Sequence, residues 1–557
     1  MSETTILQTL ARRIRCNIIS STTAAGSGHP TSSLSATELT TVLFFGGFLK
    51  QNVNNFQNPL NDKFVLSKGH AAPLLYSIYE AAGVLSQAEL MTLRKFDSHL
   101  QGHPTPEVPF VDVTTGSLGQ GLSVGLGMAL GIRLKIKELQ IQLKQEPTVW
   151  VLLGDSEMAE GQVWEAMEIA SYYNVNNLIG IVDINRLGQS GETDLGWDIE
   201  TYKKRIETFG WNVLEIKNGH NIEEIKKIFA KANTLNTVHT QKPTMILART
   251  VKGKGVPFLE DKPGWHGKAV PKDRLQEALK AIGSYDKKVM GIIASAPLFD
   301  TEMQSKTADV LKKLNNFIGG TSKGHPAART KLQPAGIGGF GALTGEITSD
   351  RIYEVNVPIA TREAFGDALA DLGKGNPQVV ALDAEVGNST YTERLRETNP
   401  THFFQMFIDE ENMVSVGLGL SKMGYVPYIS TFAAFLTRAY DQMRMAQYSK
   451  PTLNIVGSHA GCSIGQDGIS QMALEDISMM RSLRESTVLY PADAVSAYKL
   501  TQEMALRKGV NYLRTTREKT PVLYKNSEQF PIGGCKVHSL KNKKKYCAYY
   551  FRWNYTS

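Results

Sequence analysis

Apolar runs of strand length alternate with amphipathic stretches of helix length along most of this chain. Five of the apolar runs are short, rich in Val, Ile and Leu, and bounded by turn residues, so we predict them as β-strands. These predicted strands lie at 149–153, 178–182, 244–248, 379–382 and 453–456. Strands that alternate with helices are typical of parallel sheets flanked by helices. The pattern therefore predicts an α/β fold.

A glycine-rich stretch with two prolines interrupts this pattern between 321 and 346. Such a composition is typical of an interdomain linker. We therefore predict four segments, namely a first domain at 1–320, a linker at 321–354, a second domain at 355–534 and a tail at 535–557.

A short repeated motif occurs in both predicted domains. The pentapeptide SVGLG occurs at 123–127 and again at 415–419, each time in a predicted helix that follows a polar turn. We expect two related sheets, each with a helix of small residues packed closely against it.

Bulk composition narrows the class of protein. A chain of 557 residues is too long for one hydrophobic core, and its 42% hydrophobic and 21% charged residues are ordinary for a soluble protein. The net charge of +7 is spread along the chain, which argues against nucleic acid as a partner and leaves anionic metabolites as a possibility. Four cysteines show no metal or redox spacing, and neither a signal peptide nor a membrane-length apolar run occurs. We predict a cytoplasmic protein with no membrane contact.

Two polar residues follow consecutive predicted strands. Asp155 ends the first strand, and Asn185 comes about thirty residues later, which is the length of one βαβ crossover. Both side chains should then lie at the carboxyl ends of parallel strands, where ligands bind in open α/β sheets. Their oxygens suit Mg²⁺ or Ca²⁺ completed by phosphate oxygens. Alternatively, both residues simply cap turns, which is the more common role of Asp and Asn in such places.

Histidine is scarce, yet five of the eleven histidines occur beside glycine in loop-like segments. They are His29, His70, His103, His266 and His459. Their spacing is not that of a zinc site, and neutral imidazoles suit proton transfer and hydrogen bonds to sugar hydroxyls. A structural role is the alternative for one or two of them.

The segment from Gly154 and Asp155 to DINRLGQS at 183–190 resembles the thiamine-diphosphate signature of transketolases, and QMALED at 471–476 resembles the animal-type branch of that family. The histidine segments are similar to that family as well, and the likeness extends from about residue 8 to residue 534. The resemblance implies two thiamine-diphosphate-binding domains, one for the diphosphate and metal and one for the pyrimidine. It also implies that Asp155, Asn185 and the Leu187 carbonyl hold the metal. Ser156 stands where the family usually has glycine, and it supplies the same backbone N–H. From the residue pattern we also expect Ser156 to be the N-cap of the helix that follows the strand.

Further site residues of the first domain rest on the same resemblance. His29, His103 and His266 are implied to line the donor-sugar channel and to take part in catalysis. The implied contacts to thiamine diphosphate are Ser32, His70, Gly116, Ser117, Leu118, Ser156, Asn185, Lys252 and His266.

In the second domain, three acids at 409–411 precede a glycine-rich helix. Acids at this position stabilise the helix dipole, and that explanation suffices for Asp409 and Glu411. The resemblance places the cofactor-activating glutamate on Glu410, which would bind the aminopyrimidine ring and promote loss of the thiazolium C2 proton. It also assigns pyrimidine stacking to Phe435, with Phe432 as a weaker candidate, and a cofactor contact to Gln471.

The same likeness implies a set of residues that bind the phosphorylated sugar. They are His29, His266, Arg362, Ser389, His459, Asp467 and Arg517. Guanidinium groups suit phosphate oxygens because their planar donors can bind two oxygens at once.

The predicted function is transfer of a two-carbon ketol unit from xylulose 5-phosphate to ribose 5-phosphate or erythrose 4-phosphate in the pentose phosphate pathway. Deoxyxylulose-phosphate synthase and dihydroxyacetone synthase are related alternatives, against which the His103 segment and the loop at 265–267 favour a transketolase. The resemblance further implies a homodimer with active sites at the subunit interface. Glycine-spaced helices at 121–131 and 417–424 would allow the close contact that such an interface needs.

The family likeness fades after residue 537 and gives way to a basic, aromatic-rich tail. A transketolase would continue for roughly another domain, ~100 residues or more. We therefore expect a C-terminally truncated or frameshifted chain in which the third domain is missing, with low stability and reduced activity, or an inactive cofactor-binding relic. A native, short and basic C-terminus is the alternative.

Overall fold

The computed structural model describes residues 1–296, 351–539, 545–548 and 551–552, except 59, 139, 141, 142, 144 and 237–240. The described residues form two compact units, one before residue 297 and one from 351 onward. All but the last four residues of the predicted linker lie outside the described part of the chain. The predicted boundaries at 320 and 355 therefore stay predictions.

The first unit contains a five-stranded sheet in which every strand runs parallel to its neighbours, in the order β1-β2-β3-β5-β4. Its strands are β1 Lys63–Leu66, β2 Val149–Gly154, β3 Leu178–Ile184, β4 Asn212–Ile216 and β5 Thr244–Arg249. The three strands predicted for this half of the chain are confirmed as β2, β3 and β5. Strands β2 and β3 are buried along their whole length apart from Gly154, as expected for strands covered on both faces.

Helices surround this sheet. They are α1 Glu3–Ala25, α2 Pro30–Ser35, α3 Thr37–Phe45, α4 Ala72–Ala81, α5 Gln87–Leu90, α6 Gln120–Glu138, α7 Gly161–Tyr172, α8 Ile199–Thr208, α9 Ile222–Leu235 and α10 Leu275–Ile282. Short 3-10 helices occupy Gly69–Ala71, Ser156–Ala159 and Lys272–Arg274. Helix α1 begins where the Ser2 side chain accepts from the Thr5 N–H, and it ends at Gly26 in the left-handed conformation.

The second unit contains a seven-stranded sheet in the order β16-β11-β12-β10-β9-β7-β8, in which β16 alone runs antiparallel. The strands of this unit are β6 Pro358–Ala360, β7 Val379–Asp383, β8 Phe403–Gln405, β9 Val426–Phe432, β10 Thr452–Ser458, β11 Thr487–Leu489, β12 Gly509–Arg514, β13 Lys519–Pro521, β14 Lys536–Ser539, β15 Lys545–Ala548 and β16 Phe551–Arg552. Both predicted strands, β7 and β10, are confirmed. The fold class is confirmed as two domains built on mostly parallel sheets flanked by helices.

The helices of the second unit are α11 Thr361–Gly375, α12 Gly387–Thr390, α13 Glu393–Thr398, α14 Glu410–Lys422, α15 Tyr440–Gln447, α16 Asp476–Arg481 and α17 Ala494–Ala505. Its 3-10 helices are Pro400–His402, Phe435–Ala439, Cys462–Asp467 and Ile469–Gln471. In the predicted tail, β14 pairs with β15 and β16 pairs with β11, contacts that the tail's sequence pattern did not indicate.

The repeated pentapeptide lies on one helix of each unit, α6 in the first and α14 in the second. A Cβ added to Gly125 would lie 2.5 Å from the Val151 side chain of β2, and one added to Gly417 would lie 2.3 Å from Ile429 of β9. The prediction that each small-residue helix packs closely on its own sheet is thus confirmed. These two glycines face their own sheets, and the subunit contact expected of the glycine-spaced helices stays a prediction.

Across the part of the chain that the structure describes, no helix combines the length and the apolar character needed to cross a membrane.

Candidate active site

The predicted metal ligands lie at adjacent strand ends. Asp155 directly follows β2 and Asn185 directly follows β3, and these two strands pair in parallel with Gly154 opposite Asp183. One oxygen of the Asp155 carboxylate accepts from the Arg186 N–H at 2.6 Å, next to Asn185 in the chain. The structure therefore brings Asp155 and Asn185 to the same edge of the sheet.

Asp155 is almost fully buried, at 5% exposure. Burial and the nearby Asp183 carboxylate raise the pKa of Asp155 to about 6. A buried carboxylate next to a second acid gains most from a cation, because opposite charge stabilises its ionised form. The electrostatics of this position thus favour a bound cation.

The Asp183 carboxylate accepts several hydrogen bonds next to these predicted ligands. Its fully buried carboxylate accepts from the Lys68 ammonium, from the Thr250 hydroxyl, and from the Ser35 hydroxyl at 2.5 Å. Burial opposes ionisation, but Lys68 and the hydroxyl donors hold the pKa of Asp183 below its usual value. The Asn185 amide nitrogen also donates to Asp183, at 3.3 Å, which fixes which end of the Asn185 side chain remains as an oxygen ligand.

The Leu187 carbonyl points toward a second cationic side chain. Lys252 donates to this carbonyl, lies 3.2 Å from the Gly188 oxygen and contacts the His266 Nδ1 at 3.1 Å. Burial and the Lys68 charge lower the pKa of Lys252 to about 8. The structure thus places Leu187, Lys252 and His266 in one contact group.

A divalent cation fits this donor set. Within the described residues, no cluster of three His, Cys, Asp or Glu side chains could hold a metal ion by itself. Asp155, Asn185 and the Leu187 carbonyl offer only oxygens, which is the chemistry of Mg²⁺ and Ca²⁺, and they leave coordination positions for ligand oxygens. The site therefore suits a hard cation bound together with a phosphorylated ligand.

The glycine-rich loop before α6 packs tightly against the segment after β1. A Cβ on Gly69 would lie 2.8 Å from the Gly116 nitrogen, and one on Gly116 would lie 2.7 Å from the His103 ring. Gly116 also has a positive φ of 142°, so glycine is required here on both counts. This packing brings the predicted loop residues Gly116, Ser117 and Leu118 beside two of the predicted histidines.

Glu157 holds the same loop from the other side. Its fully buried carboxylate accepts from the Ser67 hydroxyl, from the Gly119 N–H at 2.8 Å and from the Gly154 N–H at 3.0 Å. The Gly119 amide is thereby occupied. The phosphate-binding role predicted for this loop accordingly rests on the amides of residues 116–118.

Ser156 differs from the sequence interpretation. The helix expected to begin with Ser156 as its N-cap is instead a 3-10 turn, Ser156–Ala159, capped by Asp155, and α7 begins only at Gly161. The Ser156 N–H donates to the Asp155 carboxylate at 2.9 Å, and the residue is exposed. The Asp155 carboxylate directly follows β2 and accepts from the first free backbone N–H, that of Ser156. The cap therefore lies one residue earlier than expected.

Four of the five predicted histidines form one cluster. The His29 ring centroid lies 5.1 Å from His70, 5.0 Å from His266 and 6.3 Å from His103, and His70 lies 5.3 Å from His266. These rings come from four separate segments of the first unit. The prediction that they share a site agrees with this arrangement.

All four clustered imidazoles are held neutral. Burial and the charges of neighbouring groups lower the pKa of His29 to about 3 and that of His266 to about 4. The pKa values of His70 and His103 are lowered for the same reasons. At neutral pH each ring can therefore donate one hydrogen bond and accept another, which suits sugar hydroxyls and proton transfer.

Two buried polar atoms in this region lack hydrogen-bond partners among the described residues. They are the Ser32 hydroxyl and the His29 Nδ1. Buried polar groups are normally paired, so such atoms are typical of a surface shaped for a polar ligand. Both residues belong to the set predicted for cofactor or sugar.

In the second unit, Glu410 is the first residue of α14 and is 2% exposed. Its carboxylate accepts from the Arg438 guanidinium at 2.9 Å and lies 3.5 Å from the Thr431 hydroxyl. Arg438 is half-exposed, so the ion pair joins a buried acid to a side chain at the surface of this unit.

Aromatic rings line the region beside Glu410. Phe432 stacks on His459 at 4.0 Å and on Phe435 at 5.4 Å, with nearly parallel planes in both cases. Arg438 lies 5.3 Å from the Phe435 ring centroid. Since Phe432 contacts two protein rings, Phe435 remains the better candidate for stacking on a ligand ring.

The predicted sugar-phosphate residues of the second unit also come together. Arg362 donates to the Ser389 carbonyl at 2.7 Å and lies 3.5 Å from the Arg517 carbonyl, and Arg517 reaches Asp467 at 3.3 Å. Burial and the charges of Arg362 and Arg517 lower the pKa of His459 to about 4. Gln471 is partly exposed and donates only weakly to Ser470, at 3.4 Å.

Sequence reasoning missed four residues with central contacts, namely Lys68, Glu157, Asp183 and Arg438. Lys68 and Asp183 lie inside motifs that drew attention for other residues, and their ion pair joins positions 115 residues apart. A buried charge within a strand end is the signal that could have identified Asp183, because such charges are almost always paired.

Each half of the chain matches a family model. Residues 6–333 match the thiamine diphosphate binding domain of transketolase, and residues 357–522 match its pyrimidine binding domain. Each unit has a mostly parallel sheet flanked by helices, and polar residues lie at the strand ends of the first unit. Together with the two family matches, these features define a thiamine-diphosphate-binding protein.

Curated relatives extend this likeness over nearly the whole chain. Human transketolase is 42% identical over 96% of this chain and 78% of the human protein. Transketolase-like protein 1 from Macaca fascicularis is 36% identical over 97% of this chain and 76% of that protein. The chain belongs to the transketolase family.

Solved structures agree in fold. Transketolase from Campylobacter jejuni matches with a TM-score of 0.78 and 26% identity, over 96% of this chain and 82% of that one. A mutant transketolase from Pichia stipitis in complex with xylulose 5-phosphate matches with a TM-score of 0.77 at 22% identity, over 97% of this chain and 81% of that one.

Proposed function

We propose that this protein is a transketolase that transfers a two-carbon ketol unit from a ketose phosphate such as xylulose 5-phosphate to an aldose phosphate such as ribose 5-phosphate or erythrose 4-phosphate. The observation that carries the proposal is the neutral cluster of His29, His70, His103 and His266 beside the polar strand ends. Such a cluster can bind several sugar hydroxyls without charge and can move protons between them.

The proposed cofactor is thiamine diphosphate bound with Mg²⁺ or Ca²⁺. Asp155, Asn185 and the Leu187 carbonyl would hold the metal, while Ser32, His70, Lys252, Ser156 and the 116–118 loop would bind the diphosphate side. Once bound, this cofactor supplies the carbon nucleophile and the electron sink that amino-acid side chains lack.

Glu410 is proposed to start catalysis. Its buried carboxyl group would bind the aminopyrimidine N1′ and keep a proton at that atom, while Phe435 packs against the ring face and Gln471 contacts the cofactor nearby. The half-exposed Arg438 can move away from Glu410, because the guanidinium group of Arg438 already reaches water and needs no buried partner.

Arg362, Ser389, His459, Asp467 and Arg517 are proposed to bind the phosphorylated sugar. Two guanidinium groups in the same contact network suit a phosphate dianion, and the exposed Asp467 can accept from a sugar hydroxyl. This group distinguishes phosphorylated substrates from free sugars.

We also propose a cytoplasmic homodimer whose active sites use residues of both subunits. The support is the family likeness, since the diphosphate and pyrimidine sides of the cofactor are assigned to different domains. Sedimentation of the cofactor-loaded protein tests this; a stable loaded monomer would exclude it.

Two measurements test the proposal. Calorimetric titration with thiamine diphosphate should show binding that requires Mg²⁺ and disappears with a chelator. A donor panel should show turnover of xylulose 5-phosphate with ribose 5-phosphate, and no carbon dioxide from pyruvate with glyceraldehyde 3-phosphate. Carbon dioxide release would favour a deoxyxylulose-phosphate synthase, and transfer to formaldehyde in preference to ribose 5-phosphate would favour a dihydroxyacetone synthase.

A further inference from the structure

Three buried or nearly buried residues of the first unit form a connected network behind Lys252. Glu38 of α3 binds the Arg15 guanidinium of α1 through both carboxylate oxygens, one of them at 2.6 Å. The same carboxylate lies 2.9 Å from the Nδ1 of His220, in the turn between β4 and α9. Glu38 therefore joins an arginine and a histidine that are about 200 positions apart in the chain.

Both partners of Glu38 also hold the backbone of the segment that carries Lys252. The His220 Nε2 accepts from the Val251 N–H at 2.9 Å, one residue before Lys252. The Arg15 Nε donates to the Lys254 carbonyl at 3.1 Å, two residues after it. The backbone on both sides of Lys252 is thus held by hydrogen bonds, one to His220 and one to Arg15. Both of these side chains contact the Glu38 carboxylate.

We propose that Glu38, Arg15 and His220 act as a clamp that positions Lys252 for the diphosphate side of the bound cofactor. The inference rests on the proposed function, since it assigns a purpose to the Lys252 position. Lys252 contacts the Leu187 carbonyl and the His266 ring, so a shift of its backbone moves a charge beside both the predicted metal ligands and the histidine cluster. The three clamp residues touch neither the cofactor nor the sugar in this assignment, and they act through Lys252.

The hydrogen bonds fix the protonation pattern of His220. Because its Nε2 accepts from the backbone N–H of Val251, the ring must carry its proton on Nδ1, where it donates to Glu38. Burial raises the pKa of Glu38, but the Arg15 charge and the hydrogen bonds from His220 and Arg15 together lower it to about 2, so the Glu38 carboxylate stays ionised at working pH. A ring held in this tautomer is a specific requirement of the clamp, and simple packing of an imidazole would not impose it.

Two substitutions separate the two arms of His220. In His220→Gln the amide oxygen can take the place of Nε2 and still accept from Val251, whereas the contact to Glu38 is lost. In His220→Asn the shorter amide can replace only Nδ1, so the contact to Glu38 persists and the Val251 N–H loses its acceptor. Each variant removes one of the two hydrogen bonds from the same site, which makes them matched controls for general loss of stability.

The test measures the affinity of the full-length protein for thiamine diphosphate in the presence of Mg²⁺, together with the thermal midpoint of each variant. The clamp predicts about tenfold weaker binding for His220→Asn, which leaves the Val251 N–H without its acceptor. It predicts a smaller loss, of about threefold, for His220→Gln, which keeps that bond but is no longer oriented by Glu38. Equal affinities in the two variants would overturn the proposal. So would losses of affinity that merely parallel the drop in thermal midpoint, whichever hydrogen bond the variant removes.

A second measurement does not depend on the cofactor. Protein labelled with ¹⁵N at its eleven histidines gives ring nitrogen shifts that report the tautomer, and the His220 signal is assigned by its absence in His220→Gln. The clamp requires a neutral ring protonated on Nδ1, and a ring protonated on Nε2 would contradict it. If the wild-type protein fails to bind thiamine diphosphate, the proposed function fails, while the tautomer still reports on the clamp.

Discussion

The two predicted halves of the site differ in how their charged groups are held. In the first unit, Asp155, Asp183 and Lys68 are buried at strand ends, and the Lys68 charge acts on the neutral imidazoles of His70 and His266. In the second unit, the buried Glu410 pairs with the half-exposed Arg438, and Arg517 pairs with the exposed Asp467. The first half is preorganised by backbone and buried ion pairs, which suits a permanently required diphosphate and metal. The second half uses longer side chains that can rearrange, which suits activation chemistry and exchange of substrates.

The largest effect is expected from Glu410→Ala. This variant should still bind thiamine diphosphate, because the diphosphate side is assigned to the other unit, but should exchange the C2 proton about 10²-fold more slowly or worse. Exchange is followed by NMR after dilution into deuterated water. Glu411→Gln, the neighbouring acid on the same helix, is the matched control and should exchange at the wild-type rate. Normal exchange in Glu410→Ala would remove the activating role from this residue.

Asp155→Ala tests the first half in the same way. Loss of a carboxylate ligand should weaken Mg²⁺-dependent binding of thiamine diphosphate by about 10²-fold, since even residues that only support metal ligands commonly contribute ten- to a hundredfold. Asp194→Asn, an acid with a side chain 79% exposed, is the control and should bind as the wild type does. Binding that ignores a chelator, or that survives Asp155→Ala unchanged, would refute the metal site.

Arg517→Lys should affect the sugar and leave the cofactor alone. Lysine keeps the charge but loses the planar pair of donors, so we expect KM for the ketose phosphate to rise about tenfold with little change in cofactor affinity. Steady-state kinetics at saturating thiamine diphosphate measure this. A parallel loss of cofactor affinity would show that Arg517 supports the fold of its loop instead.

The buried, neutral imidazole of His29 should make the protein less stable in acid. The pKa of His29 is lowered to about 3, so its contribution to stability is complete above the ordinary pKa of 6.5 and is lost as the pH falls toward 3, when the unfolded chain binds a proton that the folded site excludes. After allowance for solvent screening, the loss from this one ring is on the order of 1 kcal/mol at pH 5. Denaturation between pH 7 and pH 5 should therefore show a shallower loss of stability in His29→Asn. An unchanged slope would mean that the imidazole takes up its proton without strain.

Sequence reasoning predicted best where a function needs residues close to a strand end. Asp155 and Asn185 could be placed on neighbouring strands because the crossover length fixes their topology, and β2 and β3 are paired accordingly. The four clustered histidines could be listed, but their distances from one another could not. Glycine neighbours indicate a turn and do not indicate what the turn faces.

Long-range ion pairs were beyond the reach of sequence patterns. The Arg438 contact to Glu410 and the clamp of Arg15, Glu38 and His220 join segments with no shared motif, and each residue viewed alone is an ordinary helix or turn charge. The N-cap at Ser156 was misplaced for a local reason, since Asp155 takes the first free N–H itself. Periodicity predicts which face of an element is buried, and only tertiary packing decides which charges meet there.

The most direct test of the central claim is to follow carbon transfer with ¹³C-labelled xylulose 5-phosphate, with ribose 5-phosphate as acceptor and thiamine diphosphate and Mg²⁺ present. Label at C1 and C2 of the donor should move together into a seven-carbon ketose phosphate, with an equal amount of a three-carbon aldose phosphate released. NMR of the reaction mixture detects both products. A labelled pair that never leaves the donor while thiamine diphosphate is bound, or carbon dioxide formed from pyruvate in a parallel reaction, would contradict the assignment of ketol transfer to this protein.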